Sequence, residues 1–165
     1  MSLRQLCVIS VLPVVALLSA AWQGAAAQSG ASRSYELALK YFEERDLSNA
    51  ITELKAALVE NPGLLAAHVL VARVYLYMGE PAAAADAIAN ARRMGADPEI
   101  TWPLRAEALY GQRKFDELLA LTRSLKLTVE PQATVHLFRG RAFMEKDNFA
   151  QAAVEFTAAR DLAPR

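Results

Sequence analysis

The strongest constraint on the fold of this chain is an internal repeat. From Ala31 onward the sequence returns to one pattern of small, large and proline residues every 34 positions, without an insertion. With Ala31 as slot one, slot eight holds Ala38, slot eleven Tyr41, slot twenty Ala50, slot twenty-four Leu54, slot twenty-seven Ala57 and slot thirty-two Pro62. Counting again from Leu65, the first five of these slots hold Ala72, Tyr75, Ala84, Ile88 and Ala91; from Glu99 they hold Ala106, Leu109, Leu118, Thr122 and Leu125. From Ala133 the full set is Gly140, Phe143, Ala152, Phe156, Ala159 and Pro164. Self-similarity at such a period marks a stack of supersecondary units, none of which buries its apolar face alone. Slots eight, twenty and twenty-seven are small where helices approach most closely, and the large residue at slot eleven or twenty-four fills the space beside them.

This period and pattern resemble the tetratricopeptide repeat (TPR) family over everything after residue 31. The resemblance implies an all-α fold, a right-handed superhelical solenoid of four helix-turn-helix repeats and eight helices, with repeats at 31–64, 65–98, 99–132 and 133–165.

Local signals place the helices. Tyr35, Leu37, Ala38, Tyr41 and Phe42 recur at helical spacing, with Glu36 four residues before Lys40. Asp46 is suited to cap a second helix from about Leu47 to Glu60, which Asn61 and Pro62 end. The next helices are expected from about Leu64 to Met78, stopped by Gly79, and from Pro81 to about Met94, closed by Gly95. Asp97 and Pro98 form a cap and first-turn pair, but Pro103 cannot donate to a carbonyl four residues back, so the regular helix is expected to begin only at Thr101. A helix from about Phe115 to Lys126 follows. It places Leu118 and Leu125 in small slots and Thr122 in a large one, so the third repeat is expected to pack least tightly or to alter the stack locally. The last pair is expected at about Pro131 to Lys146 and Phe149 to Leu162.

The N-terminus reads differently. Arg4 precedes an apolar run from Leu6 to Trp22, and Ala25, Ala26 and Ala27 supply the small-residue signature of a secretory leader, so cleavage is expected between Ala27 and Gln28. Retention as a membrane anchor is the alternative; the run is short for a spanning helix of about 20 residues and no positive cluster follows it. Gln28 to Ser34 is small and polar and reads as a short tether overlapping the first repeat. The single cysteine, Cys7, lies in the leader and lacks the setting of a lipoprotein signal, so the exported chain has no thiol for a disulfide or a metal. A periplasmic or secreted location follows.

Charge argues against some partners. Arg4 is the only charged group of the first 27 residues, and its removal leaves 17 basic against 18 acidic residues. Neither a nucleic acid nor an anionic membrane is called for by that balance.

In the TPR family the first helix of each repeat lines a concave groove through slots two, five, nine and twelve. The resemblance therefore implies a groove of Ser32, Tyr35, Leu39 and Phe42; Ala66, Val69, Arg73 and Leu76; Ile100, Pro103, Glu107 and Tyr110; and Thr134, Leu137, Arg141 and Met144. It is apolar with three charges, Arg73, Glu107 and Arg141. One TPR subset holds peptide C-terminal carboxylates with Lys and Asn at slots five and nine, which are absent here, so an extended or helical apolar segment gripped by Tyr35, Phe42, Leu76 and Tyr110 is the expected ligand. Such stripes also serve as core.

Residues able to do chemistry are few. His68 and His136 share slot four two repeats apart, which places them on the order of 20 Å apart if neighbouring helices lie about 8–10 Å apart. A shared metal at roughly 2 Å per ligand is then excluded, and each histidine reads as a partly buried packing residue. Glu43-Glu44 and Asp97-Glu99 read as solvated or capping groups and Arg92-Arg93 as cations at a helix C-terminus. There is no glycine-rich phosphate loop or nucleophile elbow, so no enzyme activity and no cofactor are expected.

Gly95 to Leu104, with Tyr41 to Leu47 and Ala50 to Lys55, also resembles the opening repeats of the large TPR lipoproteins of exosortase and PEP-CTERM exopolysaccharide systems in Gram-negative bacteria. That resemblance implies an envelope role in polysaccharide export or surface-protein handling. Pro164 and Arg165 fall at slots thirty-two and thirty-three, so Ala153, Phe156 and Ala159 are expected to leave an apolar flank where a further repeat would stack. Either that flank takes a partner or a second copy, or the chain is a shortened member of a longer architecture. An exported protein-binding adaptor is the expected function; self-association into a scaffold through the flank is the alternative.

Overall fold

The computed structural model describes residues 30–121 and 127–162, which hold eight α-helices and no strand. Helix α1 covers 30–43; α2 is Leu47–Glu60, α3 Leu65–Tyr77, α4 Pro81–Arg93, α5 Pro98–Gly111, α6 Phe115–Ala120, α7 Val129–Glu145 and α8 Phe149–Leu162. The leader, its cleavage point, Thr122 and Leu125 lie outside the described residues.

The helices form four pairs, each joined by three residues, at 44–46, 78–80, 112–114 and 146–148. Such a short connection folds the second helix back along the first. The same turn is built four times. Slot fifteen adopts a left-handed backbone in every pair, with φ of 62° at Arg45, 74° at Gly79, 58° at Arg113 and 55° at Asp147. The slot-sixteen amide then reaches the slot-eleven carbonyl, from Asp46 to Tyr41 at 2.8 Å, Glu80 to Tyr75 at 2.8 Å, Lys114 to Leu109 at 3.0 Å and Asn148 to Phe143 at 2.9 Å. This motif satisfies carbonyls that a helix end would otherwise leave without partners. Slot sixteen also opens the next helix: Asp46 Oδ1 accepts from the Asn49 amide, and Asn148 Oδ1 from that of Gln151, both at 3.2 Å.

Successive first helices touch: α3 packs on α5 and α5 on α7, while α1 reaches α3 through an edge contact of Phe42 with Tyr77. The second helices α2, α4 and α6 each pack against the following first helix. At the small slots burial is nearly complete: Ala38, Ala72 and Ala106 at slot eight and Ala50, Ala84 and Ala152 at slot twenty are at most 1% exposed. Leu54 and Ile88 lie buried beside them at slot twenty-four. In the last pair the spatial rule is explicit, because a Cβ on Gly140 at slot eight would stand 2.6 Å from the Phe156 ring at slot twenty-four.

Three expectations are corrected. The tether does not extend to Ser34, since residues 30–34 belong to α1 and Ala31 is 1% exposed. Helix α5 begins at Pro98 rather than Thr101, because the Asp97 carboxylate accepts from the Glu99 amide at 2.9 Å and the Asp97 carbonyl from Ile100 and Thr101; Pro103 sits inside the helix. Helix α6 ends at Ala120 rather than running to Lys126, since Leu121 turns to an extended ψ of 113°. The buried apolar residues divide there. One cluster runs from α1 through α4 to Ala108 of α5, and a second joins α5, α6 and α7 around Ala106, Leu118 and Phe138.

Two substitutions test this construction by thermal or denaturant unfolding. Gly79→Ala meets no atom within 4 Å, so its cost is conformational, about 1–2 kcal/mol. Gly140→Ala is expected to destabilise by about 1–3 kcal/mol through overpacking against Phe156, although alanine is the better helix former. Adding Phe156→Leu recovers part of that loss.

Candidate functional site

Two constellations stand out, one on the first-helix layer and one buried between α6, α7 and α8. On the layer, the groove residues expected from sequence divide by exposure. Tyr35, Leu39, Phe42, Leu76 and Tyr110 are half-buried and pack against the two core clusters. Val69 and Glu107 are half-buried as well, whereas Arg73, Leu137, Arg141 and Met144 are exposed. Of the slots the resemblance added, Ser32, Ala66 and Ile100 are exposed and Pro103 and Thr134 half-buried.

The third and fourth pairs bring several of these residues together. The Tyr110 ring lies 5.8 Å from that of Phe115 and 5.9 Å from that of Phe138, with the Arg141 guanidinium 5.3 Å over Phe138. Tyr110 donates its hydroxyl to Glu145 Oε1 at 3.3 Å, and Arg113 stands 3.5 Å from the other oxygen of that carboxylate. Burial pushes the Glu107 carboxyl above its ordinary value, and the positive charge of Arg141 opposes the shift. The surface this creates is aromatic at its base and mixed in charge at its rim. It can hold an apolar segment by contact and orient its polar groups by ion pairing.

The second constellation was not singled out from sequence. Arg139 of α7 and Glu155 of α8 are 5% and 2% exposed, and Arg139 Nη2 donates to Glu155 Oε1 at 2.9 Å. Arg139 Nη1 reaches back to the carbonyls of Leu119 and Leu121 at 2.7 and 2.9 Å, which explains why α6 can end where it does. His136 Nδ1 lies 2.7 Å from Glu155 Oε2 and must carry the proton to donate to a carboxylate. Burial raises the Glu155 carboxyl, but the hydrogen bonds and charges of Arg139 and His136 outweigh it and hold the group below its ordinary value. Among the described residues Arg139 Nε is the buried side-chain polar atom without a partner. The signal for this network lay in the repeat itself. Slot seven is Leu37, Val71, Arg105 and Arg139 and slot twenty-three Glu53, Ala87, Leu121 and Glu155 in successive repeats, so that only the fourth repeat sets opposite charges at both slots. Buried between helices, such charges require each other as partners.

The remaining residues considered for chemistry serve structure. His68 Nε2 lies 2.8 Å from the Pro62 carbonyl within its own turn. Glu99 receives the Thr128 amide at 2.8 Å and its hydroxyl at 2.6 Å, and so caps α7 from α5. Arg92 and Arg105 lie over the Trp102 ring at 4.7 and 5.4 Å, which pins the Gly95 to Leu104 stretch onto α4. Among the described residues no group of three metal-ligating side chains is gathered.

The depressed Glu155 carboxyl fixes a sign for acid stability. Its contribution is fully present above the ordinary carboxylate range and is lost as pH falls through that range toward the depressed value. Glu155→Gln is expected to lower stability at neutral pH by about 3 kcal/mol, by stranding Arg139, and to flatten that part of the acid dependence. Denaturant titrations across a pH series would show both effects. No protein-family model matches the chain, and no curated protein matches it.

Proposed function

We propose that the chain is an exported protein-binding module of the TPR class, a right-handed superhelix whose first helices present a concave face to a protein or peptide segment. The observation that carries this reading is the fourfold turn, with its left-handed slot fifteen and the same amide-to-carbonyl bond in every pair. A stack of identical units places equivalent side chains side by side, and that is how solenoids build extended binding surfaces. On the proposed face, exposed Arg73, Leu137, Arg141 and Met144 meet the ligand, while half-buried Tyr35, Phe42 and Tyr110 shape the floor.

Export rests on the apolar leader with its run of three alanines. No helix among the described residues is long and apolar enough to cross a membrane. The likeness of Gly95 to Leu104 to envelope TPR lipoproteins favours an adaptor or scaffold role in exopolysaccharide export or surface-protein assembly. The activity is binding, with no cofactor and no reaction assigned.

Site-specific photo-cross-linking in envelope preparations tests the face. Photoreactive residues at Arg73, Leu137 and Met144 are expected to capture a common partner, and one at Val59, 81% exposed on α2, is expected to miss it. Equal capture at Val59, or none at the three first-helix sites, would overturn the assignment. These positions are preferable to Tyr35, Phe42 and Tyr110, whose truncation would also remove core contacts.

A further inference from the structure

The first-helix layer carries a line of charge that its packing does not require. Slot nine holds Arg73 on α3, Glu107 on α5 and Arg141 on α7, a positive, a negative and a positive group on three successive first helices. Helix α5 packs against both α3 and α7. With neighbouring axes about 8–10 Å apart, the two arginines stand on the order of 20 Å from each other. Arg73 is exposed although α3 lies between α1 and α5, so exposure at slot nine does not depend on standing at the end of the array.

Both cations keep their donors available. Among the described residues the side chain of neither Arg73 nor Arg141 makes an ion pair or a hydrogen bond, and Arg141 lies 5.3 Å over the Phe138 ring instead. Each is bracketed by apolar residues four before and three after it on the same helix face, Val69 and Leu76 around Arg73, Leu137 and Met144 around Arg141. A guanidinium set in such a surface pairs more strongly with a carboxylate than one surrounded by water. Glu107, half-buried between the two, is the single opposing charge at slot nine, and it already feels the charge of Arg141. The line is therefore complementary to negative charge at both ends and to apolar groups in between.

We propose that the slot-nine line selects an extended segment of another polypeptide in which two Asp or Glu side chains flank an apolar stretch, one carboxylate pairing with Arg73 and the other with Arg141. An extended chain advances about 3.3 Å per residue, so the span between the arginines sets the two acidic residues about six positions apart. Each guanidinium can meet its carboxylate through two parallel N–H donors, which fixes the register of the segment across α3, α5 and α7. This ligand chemistry rests on the concave face proposed above, and the two fail differently.

Selection from a phage library of random dodecapeptides on the purified chain, beside the same selection on Arg73→Glu/Arg141→Glu, tests it. Peptides retained by the parent are expected to carry Asp or Glu at two positions about six apart, and those retained by the charge-reversed chain to carry Lys or Arg at that spacing. Synthetic copies of the parent's peptides should bind the charge-reversed chain at least about tenfold more weakly in fluorescence anisotropy, a difference that shrinks as salt is added. Both arginines are exposed, and circular dichroism establishes that the variants are folded. If charge reversal unfolds the chain, Arg73→Gln/Arg141→Gln takes its place, with loss of the acidic pair from the selected peptides as the expected result. Leu137→Ala/Met144→Ala separates the two levels. Peptides that bind this variant more weakly but lack the acidic pair, or that bind the charge-reversed chain undiminished, overturn the acidic-segment proposal and leave the concave face standing. Peptides indifferent to Leu137→Ala/Met144→Ala, or a selection that enriches none, overturn both.

Discussion

The close approach of paired helices at slots eight and twenty is the contact on which the rest of the molecule depends. Ala38, Ala72 and Ala106 are fully buried there, and Gly140 leaves room only for the ring of Phe156. Small residues on one helix admit large ones from the next, so each pair interlocks at near-crystalline density and transmits its geometry to its neighbour. The three-residue turn makes that approach reproducible, because the left-handed residue and the returning amide fix the angle at which each second helix leaves.

The third pair departs from this pattern and shows how the stack absorbs a defect. Leu118 occupies a small slot, α6 has only six residues, and the apolar core divides at α5. Arg139 ties α6 to α8 by donating to two carbonyls at the end of α6 while pairing with Glu155. A buried ion pair of this sort adds little net stability over a well-packed apolar pair, yet removal of either partner leaves an uncompensated charge. Its role is therefore to specify one arrangement of α6, α7 and α8, much as Glu99 specifies the start of α7 by capping it from another helix.

On the surface, the same periodicity that builds the core sorts side chains into faces. The first helices collect aromatic and aliphatic residues with a thin rim of charge, while the junctions between the last two pairs carry complementary partners, Arg113 with Glu145 and Lys146 with Asp116.

The number and pairing of the helices follow from the repeat through the family it resembles, and local signals set most boundaries: α2 and α8 fall on the expected residues, and Asp46, Gly79, Pro81 and Gly95 act as the caps and breaks their chemistry dictates. Slot burial was legible for the same reason, since a residue that recurs as alanine every 34 positions has no space for more. The local propensities of Arg45 and Arg113 gave no sign of a left-handed backbone, which Asp147 adopts more readily; the returning helix imposes it, because closing the turn outweighs the cost at a side-chain-bearing residue. Tertiary structure also decided where α6 ends, through the reach of Arg139 across a sequence separation that no helical period encodes, whereas the start of α5 at Pro98 is set by the local cap of Asp97. Likewise, only packing divided the expected groove into residues that face solvent and residues that hold up the core, since both obey the same spacing and differ only in what lies across from them.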